Sequence, residues 1–175
     1  MNRPLVPDDI IGISDSLASA LRERGWTCAT AESCTGGGIA LGITSIAGSS
    51  DYMLGGIVAY SNEVKRSLLR VRQTTLDSVG AVSEDCAREM ARGVRQALGA
   101  DVGISSTGIA GPGGATARKP VGLVYIAVAT PETHEVRELR LSGSRQHIMR
   151  ESALLALRLA HSVIIDGAQA PETET

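Results

Sequence analysis

Between Ala29 and Lys65 the chain reads ATAESCTGGGIALGITSIAGSSDYMLGGIVAYSNEVK, which puts serine hydroxyls, Tyr60, Lys65 and two glycine clusters into one short stretch. Serine is a poor nucleophile at neutral pH until a neighbouring base takes its proton; the bases on offer here are Lys65 and Tyr60, with no histidine in the segment. These residue types point to a serine hydrolase assisted by tyrosine and lysine. The competing reading is that the glycines cradle a phosphate while the hydroxyls cap helices. Cys34 is a further candidate nucleophile, but His134, His147 and His161 lie far downstream and none forms a sequence-local pair with it.

A second stretch with chemical potential is TGIAGPGG, Thr107 to Gly114, with four glycines and a proline in eight residues. Glycines lack the Cβ that blocks close approach, so backbone N–H groups there can face an anion. The spacing is not that of a dinucleotide fingerprint, and no Gly-Lys-Ser/Thr closes it as in a P-loop. A ligand-free hairpin loop is the alternative. Arg145 opens the last helix and can offer its planar donors to a phosphate, a role for which Lys119 also competes. No His, Cys or acidic cluster has metal-ligand spacing, so a metal site is not expected.

The elements that must position these groups are legible from pattern. Ile10, Ile13, Leu17 and Leu21 recur at helical spacing before Gly25, which predicts a helix over residues 8–24. A strand from Trp26 or Thr27 runs into Glu32, Ser33 and Cys34, and a helix comes next over 36–46, its glycines open to a ligand. GGIVAYS at 55–61 is strand-like, and Ser61 or Asn62 caps the helix NEVKRSLLRV. Ser83, followed by Glu84 and Asp85, starts another helix with Cys86, Met90, Val94 and Leu98 as its buried stripe. Then come a strand ADVGISST, the glycine loop, two strands (VGLVYIAVAT and HEVRELRLS) paired as a hairpin around Pro131 to Thr133, and a helix over about 144–165.

Helical crossovers early and a hairpin late imply a mixed sheet, parallel first and antiparallel after. The fold class is α/β, a three-layer α/β/α sandwich, with a two-layer α+β arrangement as the alternative. At 175 residues the chain has the length of one domain, expected over 1–165 with a polar, disordered tail at 166–175. Hydrophobic residues are 43% of the chain but aromatics only 2%, so the core is built of Leu, Ile, Val and Ala. A net charge of -2 with signs interspersed leaves no basic track for nucleic acid and favours a small-molecule partner. No membrane span or leader is visible, and three widely spaced cysteines form no disulfide framework; the expectation is a cytoplasmic protein.

Three blocks carry a resemblance: TAESCTGG (30–37), AGSSDYMLGGIVAYSNEVK (47–65), and STGIAGPGG with KPVG (106–114, 119–122). Together they resemble the CinA C-terminal domain family, which includes stand-alone nicotinamide mononucleotide deamidases of the PncC type, and the likeness runs from the first helix to the last. The resemblance implies hydrolysis of the carboxamide of nicotinamide mononucleotide to nicotinic acid mononucleotide and ammonia, without a cofactor, in pyridine nucleotide salvage. It implies a Ser/Tyr/Lys site with Ser50 as nucleophile, Ser33 as its competitor, Tyr60 relaying the proton and Lys65 as base. Thr35, Gly36, Thr107, Gly111, Gly113, Gly114 and Arg145 fall at substrate-binding positions. A homo-oligomer is expected of the family. The chain departs from the family pattern at Ala115 to Arg118 and at Ser144, both on the nucleotide side. A non-catalytic nucleotide-binding competence/damage-inducible module is the alternative function.

Overall fold

The structure is a computed structural model, described over residues 5–168. Its elements run α1 (Asp8–Arg24), β1 (Cys28–Glu32), α2 (Gly38–Thr44), a 3₁₀ turn (Ser49–Asp51), β2 (Met53–Val58), α3 (Asn62–Leu69), α4 (Gln73–Ser78), α5 (Glu84–Leu98), β3 (Val102–Gly108), β4 (Leu123–Ala129), β5 (His134–Arg140) and α6 (Arg145–Ala168). The strands form one sheet in the order β2-β1-β3-β4-β5. β1 lies parallel to both β2 and β3, whereas β3–β4 and β4–β5 are antiparallel. The mixed sheet expected from the crossovers and the late hairpin is therefore present.

Local chemistry accounts for the element ends. Ser61 and Ser83 cap α3 and α5 by accepting from the N–H groups of Val64 and Cys86, satisfying donors that a first helical turn leaves free. Gly25 and Gly99 end α1 and α5 in the left-handed conformation that glycine adopts without cost. The short α4 is not expected from the sequence, because QTTLDS has no apolar stripe. Of the tail expected over 166–175, residues 166–168 belong to α6, and the remaining positions lie outside the described residues.

Two apolar layers sandwich the sheet. On one face Leu17 and Leu21 of α1, Ile39 and Ile43 of α2 and Leu157 of α6 pack with Ile104 and Ile126 of the strands. On the other, Met90 and Val94 of α5 and Leu69 of α3 cover Ala29 and Ala31, while Ala87 and Ala91 meet Ala127 and Ala129. Small strand residues let α5 approach closely: a Cβ on Gly103 would stand 2.0 Å from the Ala91 carbonyl oxygen, and the Ser105 hydroxyl donates to the Ala87 carbonyl at 2.7 Å. The result is the three-layer α/β/α sandwich. Close backbone contact replaces the bulk that aromatic side chains would supply.

Candidate active site

Parallel neighbours carry their C-terminal ends to the same side of a sheet, so the segments leaving β1, β2 and β3 converge there. The Ala59 N–H donates to the Glu32 carbonyl at 2.8 Å and the Ser33 N–H to the Ser106 carbonyl at 3.0 Å, extending both ladders just past the strands. Ser33 is thereby set beside Ala59 and Tyr60. α3 begins at Asn62, and its first turn directs Lys65 back under the same point. Lys65 is 1% exposed. Its Nζ lies 3.0 Å from Ser33 Oγ, 2.7 Å from the Ala59 carbonyl oxygen and 3.3 Å from the Tyr60 carbonyl oxygen.

That bonding pattern bears on protonation. An ammonium gives one hydrogen to each of these three oxygens; a neutral amine, its two N–H groups held by the carbonyls, turns its lone pair to the Ser33 hydroxyl, which then donates. No carboxylate is among its partners, and burial holds the Lys65 pKa below the usual lysine value, while the neighbouring Cys86 and Cys34 oppose that shift. A serine donating to a buried amine is an activated nucleophile. Cys34, though it lines the same cleft, is not one: burial pushes its thiol up to about 12, keeping it protonated at neutral pH.

Downstream of Ser33 the chain turns sharply into α2. The Glu32 carboxylate, 1% exposed, accepts from the N–H groups of Gly37, Ile39 and Ala40 at 2.8 to 3.0 Å and from the Thr35 hydroxyl at 2.6 Å. Thr35 Oγ1 also lies 2.6 Å from Ser106 Oγ. This network fixes the turn and leaves the N–H groups of Cys34 and Thr35 without a partner among the described residues. Two free donors immediately after a nucleophile can hold a developing oxyanion.

The cleft has a volume of about 270 Å³ and is lined by Ser33, Cys34, Tyr60, Lys65 and Thr107, by Gly111, Gly113 and Gly114 of the glycine loop, and by Arg145 at the start of α6. Arg145 spans its mouth, donating to the Gly111 carbonyl at 2.8 Å and to the Tyr60 hydroxyl at 3.2 Å. Three of its five guanidinium N–H groups stay free for a ligand. The Thr107 hydroxyl donates to the Ala81 carbonyl at 2.7 Å and ties the end of β3 to the segment before α5.

The expected site residues fall into different surroundings. Ser50 sits in the 3₁₀ turn before β2, whereas Lys65 comes after β2; the full strand separates them, about 17 Å at the rise of an extended chain. Within one chain Ser50 and Lys65 are therefore not a pair, and Ser33 occupies that place. The Tyr60 hydroxyl is exposed and accepts from Arg145, and it is the Tyr60 backbone carbonyl that touches Lys65. Thr35 is buried with its hydroxyl spent on Glu32 and Ser106. Gly36 does not line the cleft, and the start of α2 is closed to a ligand by Glu32. Lys119 is tied to the Val79 carbonyl and stands outside the cleft. Asn62, Val82 and Ile109 line it without a signal in the sequence, since nothing in their types marks them. Among the described residues no helix is long and apolar enough to cross a membrane.

Known proteins agree with the blocks that carried the resemblance. Residues 11–164 match the CinA C-terminal domain model. A putative competence-damage inducible protein of Caldanaerobacter subterraneus subsp. tengcongensis is 52% identical over 136 residues, 78% of this chain and 33% of that protein. A CinA-like protein of Gloeothece citriformis is 52% identical over 150 residues, 82% of this chain and 36% of that protein. The chain thus spans about a third of the length of these curated relatives. Among solved structures, the competence/damage inducible protein CihA from Agrobacterium tumefaciens superposes with a TM-score of 0.86 at 38% identity, covering 95% of this chain and 100% of that one. A CinA superfamily protein from Klebsiella pneumoniae gives 0.86 at 33% identity, with 90% and 98% covered.

Proposed function

We propose that this chain, which belongs to the CinA C-terminal domain family, hydrolyses the carboxamide of a pyridine nucleotide, nicotinamide mononucleotide, with Ser33 as nucleophile and Lys65 as base. The observation that carries the reading is the 3.0 Å contact between the buried Lys65 Nζ and Ser33 Oγ, with only the Ala59 and Tyr60 carbonyls as further hydrogen-bond partners of the nitrogen among the described residues. In the forward step Ser33 Oγ bonds to the carboxamide carbon while its proton passes to Lys65 Nζ. The carbonyl oxygen, now negative, accepts from the Cys34 and Thr35 N–H groups, each such donor contributing roughly 3 to 4 kcal/mol in other hydrolases. The Ala59 and Tyr60 carbonyls face the transient ammonium and stabilise it. Lys65 then returns the proton to the leaving nitrogen, the C–N bond breaks and ammonia departs. Water attacks the acyl-Ser33 ester with its proton taken by Lys65, which releases the acid and restores the serine.

The glycine loop and Arg145 supply the binding side. A phosphate set against the N–H groups of Gly111, Gly113 and Gly114 accepts the free guanidinium hydrogens of Arg145. A non-catalytic nucleotide-binding module would need that half alone and would have no use for a buried amine against a hydroxyl. Ammonia release from nicotinamide mononucleotide by the purified chain tests the reading. Saturable nucleotide binding with no ammonia, at any pH up to about 9, would sink the hydrolase and leave the module.

A further inference from the structure

A second depression, about 380 Å³ and sharing no lining residue with the cleft, lies between the link joining α3 to α4 and the outer face of α5. Arg70, Arg72, Arg88 and Arg92 line it with Asp85 and Glu89. Both acids are occupied. Glu89 accepts from Arg72 Nε at 2.6 Å, the Arg72 N–H at 2.9 Å and the Thr75 hydroxyl at 2.8 Å, and Asp85 accepts from Arg88 Nη1 at 2.9 Å. Arg70 and Arg92 have no side-chain hydrogen bond or ion pair among the described residues, and Arg88 Nε is buried without a partner. Glu84 also accepts from Arg88 Nη2, so four guanidiniums stand against three carboxylates, and the two without a partner are Arg70 and Arg92.

Arg70 gives an independent observation. It is the one non-glycine with a positive φ among the described residues, 56°, at the end of α3 where glycine sits at lowest cost. An arginine held there against its backbone preference puts a guanidinium at the rim, and strained positions of this kind cluster at functional sites.

We propose that this depression binds a compact polyphosphate anion: inorganic pyrophosphate or tripolyphosphate, or the phosphate chain of a nucleoside triphosphate. Arg70 and Arg92 come from different elements, and a polyphosphate offers each guanidinium a phosphoryl group of its own. The lining contains no aromatic on which a base can stack, so the nucleoside contributes little. The acids at Asp85 and Glu89 interrupt the basic surface and oppose an extended nucleic-acid backbone.

Calorimetric titration of the intact chain with orthophosphate, pyrophosphate, tripolyphosphate, adenosine triphosphate and a single-stranded oligonucleotide tests this. One equivalent of tripolyphosphate saturates the site, adenosine triphosphate binds within about threefold of it, and orthophosphate is roughly tenfold or more weaker. Arg92→Ala and Arg70→Gly each weaken tripolyphosphate roughly tenfold or more, while Arg145→Ala leaves it unchanged. Arg70→Gly relieves the left-handed strain and raises the melting temperature, so its lost binding cannot be assigned to unfolding. The proposal falls if no saturable binding occurs, if both variants bind as wild type does, if Arg145→Ala abolishes binding, or if the oligonucleotide binds more tightly than tripolyphosphate. Ammonia release by Arg92→Ala at the wild-type rate keeps this outcome separate from that of the cleft.

Discussion

Two glycine-rich turns border the cleft and deal with negative charge in opposite ways. At Gly36 to Gly38 the free N–H groups at the start of α2 are taken by the chain's own Glu32 carboxylate, whereas the N–H groups of Gly111, Gly113 and Gly114 have no partner among the described residues and Arg145 stands beside them. Glycine content alone does not separate the two. What separates them is a carboxylate four residues before the first turn, which converts an anion site into a rigid mount for Ser33 and the free N–H groups behind it. The filled turn is suited to chemistry and the open one to binding.

The largest effects should come from the filled turn. Ser33→Ala and Lys65→Met are each expected to lower kcat about a thousandfold or more with little change in KM, whereas Ser50→Ala stays within about twofold, as read by steady-state ammonia release. A loss confined to KM would erase the division of labour between the turns. With the neutral amine proposed as the base, kcat should rise with pH through the depressed pKa of Lys65. Linkage has the same sign: the folded chain binds fewer protons at Lys65 than the unfolded one between the two pKa values, so stability rises with pH in that window, and Lys65→Met should remove this dependence.

Next in size is Glu32→Ala. It strands four donors around a buried position and is expected to cost about 3 to 5 kcal/mol in urea melts, with Glu32→Gln costing less because one acceptor oxygen survives. Destabilisation under about 1 kcal/mol would mean that the first turn is as open as the second.

For the open turn, Arg145→Ala should raise KM for the nucleotide roughly tenfold or more and barely alter kcat, since a remote charge-assisted contact contributes largely uniform binding. Nicotinamide riboside, which lacks the phosphate, should be nearly indifferent to the change. If both substrates suffer equally, Arg145 acts as a strut between Tyr60 and Gly111 and not as a phosphate ligand.

The smallest effects lie within the glycine loop itself. Gly111→Ala forces a left-handed residue with φ 77° and sets its Cβ 2.7 Å from Val121 Cγ1, which should cost about 1 to 3 kcal/mol in thermal melts. Gly113 has nothing within 4 Å of a Cβ position, and Gly113→Ala should stay within about 0.5 kcal/mol. Equal costs would show that the loop is packed more tightly than its open face implies.

Fold was legible where the signals are local: the Ser61 and Ser83 caps, the Gly25 stop and the crossovers before a hairpin all act over a few residues. α4 escaped because it is held from outside, by Glu89 of α5 on Arg72 and Thr75, and not by a stripe of its own. The site was half legible. Ser50 stands nearer than Ser33 to Lys65 along the chain, but Ser50 precedes its strand whereas Ser33 comes after one, and in parallel strands only residues after strands share an end. That topological rule, applied to the same letters, separates the two serines. The role of Glu32 lay in side-chain geometry over eight residues and carried no motif of its own.

Seven residues are too few for a helix to persist unaided in water, where each opening of a turn is nearly free. α2, with Glu32 across its first turn, should therefore lose its independence of motion: the amide hydrogens of Gly37, Ile39 and Ala40 open only when the β1 end opens with them. In hydrogen exchange these three should persist as long as the amides of the central strands, and the rest of α2 should exchange early. The slowest-exchanging part of the shortest helix on that face of the sheet would then be the part that adjoins Ser33.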